Sequence, residues 1–194
     1  MFPKTPAITC YDPLADFLGA GGAPFTYTFD DAVKLSGHAC PTIAGAFLMA
    51  KRALELLYPD TMPQRGDIAI TVPDSVDAGV IGPITQILTL VTGAAANNGF
   101  KGLGDHFNRM NLMRFREEAA MSQSFLFERL STGKQVRLQY NPHAFPPSPK
   151  IAELLPLLLA DRATTAQKLE FARVWRQRVL DILQDGGTHT VFQV

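Results

Sequence analysis

Apolar residues recur at three- and four-residue spacings from Ile43 through Phe47, Ala50 and Leu54 to Leu57. This period predicts a helix over 41–57 with one buried stripe. Pro41 suits its first turn, where the N–H that proline lacks would have no partner, and Pro59 ends the run. Ala44, Gly45 and Ala46 are small enough to let another backbone approach closely. Residues 67–72 alternate and are β-branched, which predicts a strand. Ile84, Ile87, Leu88 and Val91 share one face of a second helix over 80–92. Segments 124–130 and 135–140, separated by Ser131-Thr132-Gly133-Lys134, predict a β-hairpin. Helices follow over 149–160 and 164–184, the latter repeating Leu169, Ala172, Trp175, Val179, Ile182 and Leu183. Residues 189–194 add a last strand.

The intervening segments are loops by composition, Gly/Asn-rich over 93–104 and Pro-rich over 141–149. A short helix starts at Asp30 or Asp31, runs to Leu35 and stops at Gly37. Residues 1–24 are rich in Pro, Gly and Ala. Tyr11, Leu14, Phe17 and Leu18 suit a short helical turn there, and Gly19 to Pro24 reads as a linker. Strands and helices mix without a regular βαβ rhythm or internal repeat, so the expected class is α+β. The expected architecture is a small mixed sheet packed against helices, with a helical C-terminal extension. Its parts are an N-terminal segment (1–24), a core (25–115) and a hairpin plus helices (116–194) packed on that core as one compact domain.

Composition narrows the function classes. Hydrophobic residues make up 46% of the 194 positions and charged residues 19%, an ordinary globular balance. Lys+Arg and Asp+Glu both number 18, and no Lys/Arg cluster stands out along the chain, which argues against nucleic-acid binding. No run approaches the roughly 20 apolar residues of a spanning helix. The first six residues lack a basic stretch followed by an apolar one, so a signal peptide is not expected and a cytoplasmic location is. The two cysteines, Cys10 and Cys40, exclude a disulfide framework and a four-cysteine zinc module. A disulfide between them would be unusual in a reducing compartment. No Walker A, G-x-G-x-x-G, G-x-S-x-G or H-E-x-x-H pattern is present.

One segment carries candidate chemistry: Gly37-His38-Ala39-Cys40-Pro41. Cys40 precedes Pro41 at the N-cap of the strongest helix, where outward N–H groups favour an anion and lower a thiol pKa. In extended backbone, residues i and i+2 point to one side. His38 and Cys40 then converge as zinc ligands or as an imidazole–thiolate pair, with Cys40 the candidate catalytic nucleophile. The plainer alternative is a buried small hydrophobe at Cys40 and a carbonyl-bonded imidazole at His38. Zinc needs three or four ligands. His106, in a glycine-bounded loop beside Asp105, is the preferred third, ahead of His143 and His189. Asn98 and Lys101, with Asn97, are candidates to hold a polar or anionic substrate, against the alternative of a solvated turn. The carboxylates form no acid/base pair: Asp74 and Asp77 flank a turn, and Glu117-Glu118 reads as a solvated face.

Val33-Lys34-Leu35-Ser36-Gly37-His38-Ala39-Cys40-Pro41-Thr42-Ile43-Ala44-Gly45 resembles the helix and G-H-x-C-P opening of the formylmethanofuran dehydrogenase E-subunit family. Val91 to Ala95 and Gly99 to Gly102 resemble, in degraded form, a later T-G-C-T and G-K-G-N type loop. The resemblance covers about residues 28 to 115. It implies an α+β core, usually a homodimer, with a metal near His38 and Cys40. Ala94 stands where the family places a second cysteine, and the C-terminal zinc finger of some members is absent. The family's oxidation chemistry is attributed to other subunits and is not carried onto this chain. Two other classes stay open: an accessory or interaction subunit in which the motif is structural, and metal-free thiol chemistry at Cys40 with His38 as base.

Overall fold

The computed structural model describes residue 2 and residues 5–19, 21–116 and 123–194; Glu117 and Glu118 lie outside the described residues. The chain begins with strand β1 (Ala7–Cys10), helix α1 (Pro13–Leu18), β2 (Phe25–Thr28), α2 (Phe29–Ser36) and α3 (Pro41–Leu57). It continues with β3 (Ile68–Val72), α4 (Ile81–Thr92), β4 (Met113–Phe115), β5 (Phe125–Arg129) and β6 (Gln135–Tyr140). Last come α5 (Pro149–Leu159), α6 (Thr165–Asp185) and β7 (Val191–Gln193). The fold is α+β, with the hairpin, the last strand and the helical C-terminal extension where the periodicity puts them. No helix among the described residues is long and apolar enough to cross a membrane.

Alternation in β3 turns Ile68, Ile70 and Val72 to the core. β3 pairs in parallel with β4 and antiparallel with β5, in a five-stranded sheet of order β4-β3-β5-β6-β7. The β5–β6 register sets Phe125 opposite Leu138 and Phe127 opposite Val136, and all four side chains are buried. Helix α3 packs on this sheet against β6 and β5, with α4 and α6 beside it. Its first half is buried all round: every residue from Ile43 to Ala50 is buried. The expected single stripe therefore holds only for the second half, where Lys51, Arg52 and Glu55 mark an outer face. Absence of any charge from Ile43 to Ala50 is the sequence sign of full enclosure.

The N-terminal segment carries the expected short helical turn as α1 and, before it, a strand that the sequence pattern does not predict. β1 pairs antiparallel with β2, and Ile8 and Cys10 are buried. Four-residue strands between prolines carry too little periodicity to be read alone; their partner lies elsewhere in the chain. Asp12 caps α1, accepting from the Leu14 N–H at 3.0 Å. Its two carboxylate oxygens also accept from Arg65 (2.7 Å) and Arg109 (2.8 Å). Burial pulls the Arg109 guanidinium below its ordinary value, and Asp12 opposes this. α2 starts from Thr28, not from Asp30 or Asp31. Asp31 is the third helical residue and closes a capping box back onto Thr28. That contact holds its carboxyl below the usual range.

Candidate functional site

Gly37, at φ 74°, ends α2 and turns the chain into the motif. His38 is exposed. Its Nδ1 lies 3.0 Å from the Ser36 carbonyl, and because a carbonyl only accepts, Nδ1 carries the proton. The Ser36 hydroxyl donates to the His38 carbonyl at 2.9 Å, so one residue holds both ends of His38. In the neutral ring this leaves the lone pair on Nε2, available for a role as base or metal ligand. Cys40 follows in extended conformation (φ −148°, ψ 167°) as the N-cap of α3, without a side-chain cap bond. It is half-buried and unbridged.

The C-terminal extension holds this segment in place. The Trp175 indole of α6 donates to the Ala39 carbonyl at 2.8 Å, and the Tyr140 hydroxyl of β6 donates to the Pro41 carbonyl at 2.8 Å. Cys40 thus sits between two anchored carbonyls. Burial pushes the Tyr140 hydroxyl well above its ordinary value, Arg178 opposes, and Cys40 adds to the rise. The small-residue face of α3 is filled from within the chain. A Cβ on Gly45 would stand 2.3 Å from the Tyr140 ring, so a tyrosine ring occupies the space anticipated for a backbone.

A cavity of about 480 Å³ adjoins the α3 N-terminus, lined by Thr42, Asp74, Gln139, Tyr140 and His143 among others. His143, weakly placed by sequence, therefore has neighbours in the fold. Its signal was the Asn141-Pro142-His143 turn, in which Asn141 accepts from the His143 N–H at 3.0 Å. Asp77 is held below the usual carboxylate range by the Ser75 hydroxyl and flanks the turn as a local cap. His189 pairs with Asp185 at 2.6 Å at the end of α6.

His106 belongs to a different part of the molecule. It closes a turn with Leu103 and lines a polar cleft with Gln64, Arg65 and Arg109. Gly102 makes that turn possible, since a Cβ there would meet the His106 carbonyl at 2.3 Å. Among the described residues, no group of three or more His, Cys, Asp or Glu side chains is placed to hold a metal. His38 and Cys40 share a loop, and His106 does not complete a set with them. Asn98 lines an apolar groove of about 660 Å³ with Leu35, Gln86 and Phe115; exposed Lys101 lies outside that groove. No family model matches the chain, and no curated protein matches it significantly.

The two thiols differ in a testable way. Cys10 is 1% exposed, and burial pushes its thiol up to about 11 from 9.0, with Arg65 opposing. Below pH 9 the folded and unfolded chains both hold this proton. Between pH 9 and 11 only the unfolded chain releases it, so stability falls as pH rises, by about 2 kcal/mol. Urea unfolding of wild type and Cys10→Ala across that window checks the slope, which the variant should lack. In the folded protein at pH 8, iodoacetamide should modify Cys40 and spare Cys10. Equal labelling of both in mass spectra would contradict the burial of Cys10.

Proposed function

We propose that the protein binds a thiophilic metal ion, zinc foremost, through His38 and Cys40. The carrying observation is the Ser36 carbonyl on His38 Nδ1, which leaves Nε2 as the free donor two residues before a half-buried N-cap thiol. The donor types suit zinc or another thiophilic metal. The donor count does not suit a zinc centre built from one chain, because the described residues supply no third ligand beside these two. Completion of the shell falls to a group from outside the chain. A second copy is the natural source, in keeping with the homodimer that the family resemblance implies.

Elemental analysis of purified wild type, Cys40→Ala and His38→Ala tests this. Loss of a ligand should lower metal content at least about tenfold, with an unchanged circular dichroism spectrum. Full retention in Cys40→Ala would sink the reading. A second reading, a structural motif in an accessory protein, draws support from the Trp175 and Tyr140 hydrogen bonds to the motif carbonyls. Protein without metal after gentle purification and attempted zinc reconstitution would favour it.

A further inference from the structure

We propose that the polar cleft beside α1 binds a small oxyanion, the phosphate or carboxylate group of a small molecule. The cleft encloses about 220 Å³ and is lined by Gln64, Arg65, Gly66, His106 and Arg109 among others. Its wall is an ion cluster whose charges do not balance. Arg65 Nη1 and Arg109 Nη2 each donate to one oxygen of Asp12, so two guanidiniums share one carboxylate. The Arg109 side chain is 8% exposed and that of Asp12 is 7%, leaving water little access to screen the surplus positive charge. Arg65 also donates from Nε to the Val91 carbonyl and from Nη2 to the Leu90 carbonyl. Arg109 Nη1, in contrast, is buried with no hydrogen-bond partner, a rare condition for a charged donor. It lies against Gly66, which also lines the cleft and where a Cβ would stand 2.1 Å away.

The same arginines border a second cleft of about 370 Å³, but Asp12 lines that one as well, and its carboxylate repels an anion. Among the described residues, no carboxylate lines the first cleft. At its mouth stand the exposed Gln64 amide and His106 imidazole, both able to donate to an oxyanion. An apolar ligand would leave the surplus charge unpaired, and a cation would be repelled by it. This site is independent of the His38–Cys40 reading. It also gives His106 a role that the metal reading does not.

The test is titration of the full chain with inorganic phosphate, and separately with acetate, at ionic strength held constant with chloride. Isothermal calorimetry reads the affinity, and the arginine side-chain NMR signals report the contact. Saturable binding is expected, weakened at least about threefold in Gln64→Ala and in His106→Ala, and lost in Arg109→Lys. Lys34→Ala, at a side chain exposed on α2, should leave it unchanged. Binding of phosphate alone assigns a phosphorylated ligand, and binding of acetate as well assigns a carboxylate; each supports the site. Should Arg109→Lys fail to fold, the two mouth variants carry the test. Saturation by neither anion, or affinity unchanged in both mouth variants, overturns the proposal.

Discussion

Gly45→Ala should destabilise the protein by about 2 kcal/mol, opposite to the gain of about 0.5–1 kcal/mol usual for alanine in a helix. The new Cβ would stand 2.3 Å from the Tyr140 ring, deep inside any van der Waals contact. To make room the ring must swing off α3. It then gives up its packing and its hydrogen bond to the Pro41 carbonyl, itself worth about 1 kcal/mol. With Tyr140→Ala as background the clash is gone, and the same substitution should become neutral or stabilising. Urea denaturation of the four proteins in this cycle measures the reversal. A stable Gly45→Ala single variant would mean that Tyr140 does not clamp the motif.

Asp12→Ala should cost more, about 3–5 kcal/mol, because it leaves the buried Arg109 and the half-buried Arg65 without their counter-charge. The same carboxylate caps α1 through the Leu14 N–H and joins the N-terminal segment to Arg65 and Arg109. At about 2–4 °C per kcal/mol for a chain of this size, the melting midpoint should fall by about 6–20 °C. Asp12→Asn keeps the cap and the shape but removes the charge, and should fall between the variant and wild type. Scanning calorimetry separates the three. A midpoint within about 2 °C of wild type for Asp12→Ala would show that water, not Asp12, satisfies the arginines.

These sites differ in how far the sequence announced them. The N-cap position of Cys40 followed from Pro41 and the apolar run after it, since capping and periodicity are local properties of the chain. The tautomer of His38 is nearly local too, set by Ser36 two residues earlier. Nothing local connects Tyr140 or Trp175 to Pro41 and Ala39, because those hydrogen bonds join elements far apart in sequence. The Asp12–Arg65–Arg109 cluster was invisible for the same reason. A search along the chain for basic runs cannot detect two isolated arginines that folding brings onto one carboxylate.

By itself, then, the sequence determined the α+β class, the long helices, the β5–β6 hairpin and the position of the motif at a helix start. Hydrophobic period, proline and glycine punctuation and turn chemistry act over a few residues, so they can be read without a partner. Tertiary structure alone decided that β1 pairs with β2, that the small face of α3 receives a tyrosine ring, and that His106 sits beside Arg109 rather than beside His38 and Cys40. Each of these depends on which distant groups share one space, and side-chain size, buried charge and backbone pairing act only once the chain has closed on itself.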